Sequence, residues 1–146
     1  EILFPDNWKI AGCPVNGPRA DAIGNNLAIA WFSMQDKKGQ VKIIFSEDGG
    51  STFKQPVQID EGNAIGRVDI VMTDTNTVLV SWMEGAAIKA VRVNSDGRKG
   101  NSILVANSSD ARSSGFPQMT KSGSTIYFAW TDNDKKAIRI ASISMK

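Results

Sequence analysis

The sequence predicts an all-β chain of about three four-stranded antiparallel units, set side by side as blades of a propeller. Two observations predict this. Gly17-Pro18-Arg19, Gly66-Arg67-Val68 and Gly115-Phe116-Pro117 recur at a spacing of 49 residues. After each comes an apolar strand closing on tryptophan: Leu27–Trp31, Val78–Trp82 and Ile126–Trp130. Units of that length built from short strands point to propeller blades rather than to a helical solenoid. No segment keeps a helical apolar period.

The elements follow in order. Glu1-Ile2-Leu3-Phe4 precedes a polar stretch, as Pro56–Ile59 precedes Asp60–Gly66, so residues 1–4 are expected as an outer strand. The first repeat, 17–65, is expected to hold strands at Ala20–Ile23, Leu27–Ser33, Val41–Ser46 and Pro56–Ile59. The second, 66–114, holds Val68–Thr73, Val78–Met83, Ile88–Val93 and Ser102–Val105. The third, 115–146, holds Pro117–Lys121, Thr125–Trp130 and Ile138–Ile143. Gly24-Asn25, Asp74–Asn76 and Ser122-Gly123 mark the first turn of each repeat. The strand count then reads as one outer strand, two complete units and one unit of three. Three blades are few for a ring, since propellers have about four to eight. We therefore expect residues 1–146 to be one partial propeller domain. It is read either as closed by residues 1–4 on the last unit or as the C-terminal half of a six-bladed ring, and the half ring is the favoured reading. Its open ends call for self-association, preferentially as a dimer, or for the other half of a longer chain.

Composition narrows the function. A net charge of +2 with scattered lysines and arginines gives no nucleic-acid footprint. No apolar run is long enough for a membrane helix. The chain has no histidine, which removes histidine-based triads and His-rich zinc sites. Its loop carboxylates Asp36, Asp132 and Asp134 show no metal-ligand pattern, so neither a metal nor a cofactor is expected. Cys13 stands alone, between Gly12 and Pro14, and is read as a small packed residue.

The richest local motif is Ser46-Glu47-Asp48-Gly49-Gly50-Ser51-Thr52-Phe53, between two strand-like runs. Asp48 is placed to accept N–H bonds from its own turn, and the two glycines supply positive φ. Ser46, Asp48, Gly50, Thr52 and Phe53 form the pattern Ser-x-Asp-x-Gly-x-Thr-aromatic, with Phe53 expected to be largely buried. Asp96-Gly97 marks the same connection in the second repeat in degenerate form. The pattern resembles the Asp-box, or BNR repeat, of sialidase-like propellers. Supporting stretches are Trp8–Pro18, Ala28–Phe32, Gly66–Asp69 and Ser114–Pro117.

That resemblance implies a six-bladed fold and an extracytoplasmic location, periplasmic or secreted, although no signal peptide is seen in this chain. It also implies a carbohydrate ligand or substrate on the face opposite the Asp-box. Sialidases use three arginines on a carboxylate, a tyrosine nucleophile paired with a glutamate, and an acid/base aspartate. The catalytic signature is not visible here: the Arg-Ile-Pro motif is missing, and the single tyrosine, Tyr127, reads as part of a buried strand. Candidates for catalysis are therefore Glu84, Asp132 and Asp69, since paired carboxylates serve glycoside hydrolysis. Arg67 and Arg112 are candidate ligand-binding residues, and Trp8 is the candidate sugar platform. Arg67 and Asp69 would equally suit an ion pair between blades. The periodic Trp31, Trp82 and Trp130 are read as core. A non-catalytic scaffold for protein binding is the other reading.

Overall fold

The computed structural model describes residues 2–10 and 16–145. They contain eleven strands and no helix: β1 Arg19–Ile23, β2 Asn26–Gln35, β3 Lys38–Ser46, β4 Val57–Gln58, β5 Ala64–Asp74, β6 Thr77–Glu84, β7 Ala87–Asn94, β8 Ile103–Asn107, β9 Gly115–Ser122, β10 Thr125–Asp132 and β11 Ala137–Ser144. These make three antiparallel sheets, ordered β1-β2-β3-β4, β5-β6-β7-β8 and β11-β10-β9. Each sheet is a meander, and the three pack face to face as successive propeller blades.

Strand patterns report how each blade is covered. In β6, Val78 to Met83 are all buried, because the second blade is sandwiched on both faces. In β10, burial alternates: Ile126, Phe128 and Trp130 face the second blade, while Tyr127 between them is exposed. Tyr127 was expected inside a buried strand. It lies instead on the outer face of the third blade, which nothing in the described residues covers.

Two apolar layers hold the blades together. Phe32, Val41, Ile43 and Phe45 of the first blade pack against Val68, Ile70, Val80 and Trp82 of the second. Leu79, Met83 and Ile88 on the opposite face of the second pack against Ile126, Phe128 and Trp130. Trp82 is 0% exposed and Trp130 is 5% exposed, as core tryptophans should be. Trp31 occupies the same place on the outer face of the first blade and is only half-buried. Truncating a buried leucine or isoleucine in these layers should cost about 2–5 kcal/mol.

A polar bond joins the inner strands at each junction. Asp21 of β1 accepts the Met72 N–H of β5 at 2.7 Å, and Asp69 of β5 accepts the Met119 N–H of β9. Apolar faces set the packing, and these acceptors satisfy inner-strand N–H groups that meet no neighbouring strand.

The expected ends need correction. Ile2–Phe4 is not a strand and does not join β11. It lies over the first blade, with the Phe4 ring 6.0 Å from that of Trp31. The apolar face of the first blade is the surface it covers. Cys13 and its neighbours 11–15, together with Glu1, lie outside the described residues. No helix in the described residues is long and apolar enough to cross a membrane.

Candidate functional site

Antiparallel alternation puts the starts of the inner strands at one end of the blades and the β3–β4 turn at the other. At the inner-strand end, a cleft of about 260 Å³ is lined by Asn16, Pro18, Arg19, Arg67, Phe116 and Gln118, among others. All three repeats contribute to it. The glycines that start the second and third repeats explain how. Gly66 has φ 91° and Gly115 has φ 80°, and the next residues, Arg67 and Phe116, have φ 57° and 56°. Left-handed backbone at a non-glycine residue is costly and is found where the surroundings hold it.

Those surroundings are specific. The Asn16 carboxamide accepts the Arg67 N–H at 2.8 Å and donates to the Ile65 carbonyl at 3.2 Å. A Cβ on Gly66 would meet the Asn16 side chain at 2.6 Å, and one on Gly115 would meet the Arg67 guanidinium at 2.8 Å. Both glycines are therefore needed for space as well as for φ.

Arg67 is buried, 8% exposed, yet among the described residues it forms no salt bridge with a carboxylate. Its guanidinium donates to the carbonyls of Ser109, Asp110, Ala111 and Ser114, and it lies 4.6 Å from the centre of the Phe116 ring. It holds the loop between β8 and β9 against the inner strands. Burial lowers its pKa from the usual arginine value. The expected ion pair with Asp69 does not form: Asp69 turns to Met119 and to Arg19, whose Nε is 4.0 Å away. Burial raises the Asp69 pKa, against the pull of its backbone bonds and of Arg19. Arg19 keeps half of its side chain in solvent beside the cleft.

The three candidate carboxylates are not gathered in one place by any hydrogen bond or cleft among the described residues. Glu84 accepts the Trp82 indole N–H at 2.6 Å and the N–H groups of Glu61 and Asn63. Asp132 faces Arg139 at 3.5 Å and accepts the Lys135 N–H at 3.1 Å. Arg112 is exposed and lines no part of the cleft. Trp8 stands edge-on to Phe32 at 5.7 Å, packs on the first core layer, and lines a mostly apolar groove over the first blade that adjoins the cleft at Asn16, Gly17 and Pro18. The cleft residues Asn16, Arg19, Phe116 and Gln118 were not singled out from the sequence. The 49-residue spacing of the glycines marks the turns that deliver three of them, but nothing in the sequence shows that the turns converge.

At the opposite end, the Asp48 turn closes on itself. Asp48 accepts the Thr52 N–H at 2.8 Å, the Thr52 hydroxyl at 2.6 Å and the Ser46 hydroxyl at 2.8 Å. The Ser46 hydroxyl accepts the Gly50 N–H at 2.9 Å. The Thr52 bonds and then Ser46 lower the Asp48 pKa to about 2. Phe53 is half-buried rather than largely buried, because it faces the open side of the first blade. In the second blade the matching turn is simpler, with Asp96 accepting the Arg98 N–H at 3.0 Å.

No family model and no curated protein matches the chain. Solved structures do. A xylan β-1,4-xylosidase from Bacillus halodurans C-125 aligns with TM-score 0.62 at 10% identity, over 88% of this chain and 28% of that one. The GH43 protein BlXynB from Bacillus licheniformis aligns with TM-score 0.59 at 15% identity, over 88% and 27%. The Hadza microbial sialidase Hz136 aligns with TM-score 0.52 at 12% identity, over 90% and 32%. The fold is a partial β-propeller. The chain spans 28%, 27% and 32% of the length of these three solved chains.

Proposed function

We propose that this chain is a carbohydrate-binding segment of a sialidase-like, Asp-box propeller, with its glycan site at the inner-strand cleft. The observation that carries the reading is the convergence of three repeat starts on one cleft opposite the Asp48 turn. Arg19 and Gln118 offer N–H donors there, Asn16 offers a carboxamide, and Phe116 lines one wall. A few polar groups set among packed walls suit a sugar, which needs oriented hydrogen bonds and an apolar surface. Two of the solved structures it resembles are named as a xylosidase and a sialidase, which supports the substrate class.

Binding is favoured over hydrolysis by the state of the carboxylates. Glu84 is taken up by three N–H donors and Asp69 by a β9 N–H, so neither is a free acid or base. A glycan array followed by calorimetry with xylo-oligosaccharides and sialyllactose tests the proposal. Binding that falls at least tenfold in Arg19→Ala supports it. No binding to any glycan, or binding unchanged by Arg19→Ala, defeats it. Turnover of a fluorogenic glycoside would overturn the non-catalytic part.

A further inference from the structure

Asp21 and Asp69 hold matching places at the two blade junctions, each accepting with Oδ2 an N–H from the inner strand of the next blade. They differ in the other oxygen. Asp21 Oδ1 accepts the Ala22 N–H of its own strand at 2.9 Å. Asp69 Oδ1 faces the Arg19 guanidinium, 4.0 Å from Nε. Arg19 lines the cleft and Asp69 does not. The carboxylate is the deeper of the two, with 11% of its side chain exposed against 49% for the arginine.

A long side chain half in water keeps its rotamer freedom unless something holds it. Among the described residues, Asp69 is the one ion-pair partner of Arg19. The approach is through Nε, which leaves the two terminal NH2 groups as a planar pair of donors for a ligand. Asp69 is itself fixed from the other side by the Met119 N–H. That N–H belongs to the peptide unit following Gln118, which also lines the cleft. One carboxylate of β5 thus bears on a cleft donor from β1 and on the backbone beside a cleft donor from β9.

We propose that Asp69 is the positioning residue of the cleft, holding Arg19 in place for a ligand while ionised and releasing it when protonated. This role rests on the glycan reading of the cleft and adds a pH dependence to it.

The charged groups facing Asp69 are Arg19 and Asp21 of β1. On its own strand Arg67 turns to the β8–β9 loop, Ser81 of β6 stands opposite it, and β9 presents the Met119 N–H. Burial is the largest influence and raises the Asp69 pKa. The Met119 and Ile70 N–H groups and Arg19 pull it back, and the Asp21 charge adds to the rise. The titration therefore lies above the ordinary value of 3.8. Above that titration Arg19 is held. Below it the carboxyl is neutral and the ion pair is lost, so affinity for an uncharged glycan falls as pH falls.

Carbon-13 NMR of the Asp69 carboxyl group follows this titration directly. Arg19→Ala should raise the Asp69 pKa, since it removes the cation that favours the ionised form. The Arg19 Nε–H signal should move with pH in step with Asp69 in the parent, and should lose that movement in Asp69→Asn. A carboxylate that served only the Met119 N–H would produce neither effect. Neither measurement needs a glycan, so their failure is distinct from failure of the glycan reading. Calorimetry with xylo-oligosaccharides, which carry no charge, reads the consequence at the cleft. Binding to the parent should weaken about two- to fivefold on acidification through the Asp69 titration, as suits a charge pair half open to water. Asp69→Asn should bind more weakly than the parent at pH 7 by a similar factor, with no such step and with the parent's circular dichroism spectrum. Asp69→Glu, which returns the charge, should restore the step. An Asp69 titration indifferent to Arg19→Ala overturns the proposal. So does an Arg19 signal indifferent to Asp69, or a glycan affinity that does not follow the Asp69 titration.

Discussion

The Trp82 indole N–H donates to Glu84, two residues along the same strand, at 2.6 Å. The same carboxylate accepts two backbone N–H groups from the segment entering the second blade. A residue that reads in the sequence as a candidate catalytic acid is thus a clamp. It ties a core tryptophan to the β4–β5 connection. Glu84→Ala should leave these donors short of a partner and cost about 2 kcal/mol in denaturant melts. Stability unchanged by the substitution would show that the clamp is idle.

Trp130 stands in the corresponding place in the third blade, but its buried indole N–H has no hydrogen-bond partner among the described residues. Asp132 is two residues on, as Glu84 is from Trp82, and an aspartate is one methylene shorter. Asp132→Glu should reach the indole and raise stability by about 1 kcal/mol, offset in part by loss of the Lys135 contact. Thermal melts of the variant and of Asp132→Ala decide this, since only the glutamate should gain.

Asp48 ties the β3–β4 turn to pH. Its pKa falls from 3.8 to about 2 in the fold, so the unfolded chain takes up the proton first as pH falls. The stability it contributes is therefore complete above about pH 4 and is lost toward about pH 2. Asp48→Asn should lower the melting temperature at pH 7 and flatten the melting curve's acid dependence in that window. A variant with the parent's acid profile would place the acid sensitivity elsewhere.

Asp69 has the opposite sign. Burial raises its pKa above 3.8, so the folded chain keeps the proton longer than the unfolded one. Its contribution is then greatest at low pH and falls as pH rises through the folded value. Asp69→Asn keeps an acceptor for the Met119 N–H without a buried charge. We expect it to be at least as stable as the parent at pH 7, with less loss of stability above pH 4. A marked loss at pH 7 would show that the junction needs the charge and Arg19 together.

The repeat, all eleven strands and the acceptor role of Asp48 were legible in the sequence, because strand alternation, turn glycines and a side chain bonding its own turn are local. Boundaries moved by only a few residues, as at β5, expected from Val68 and observed from Ala64. What only the tertiary structure decided involves partners about fifty residues apart. Asn16 meets the Arg67 N–H 51 positions on, and Arg67 reaches carbonyls 42 to 47 positions on. Alternation told which of Tyr127 and Phe128 share a side of β10, but not which side a neighbouring blade would cover. The same limit made Glu84 read as a candidate for catalysis and Phe53 as buried. A strand's pattern records the faces it has, while burial, pairing and charge at those faces are set by the blade that packs against them.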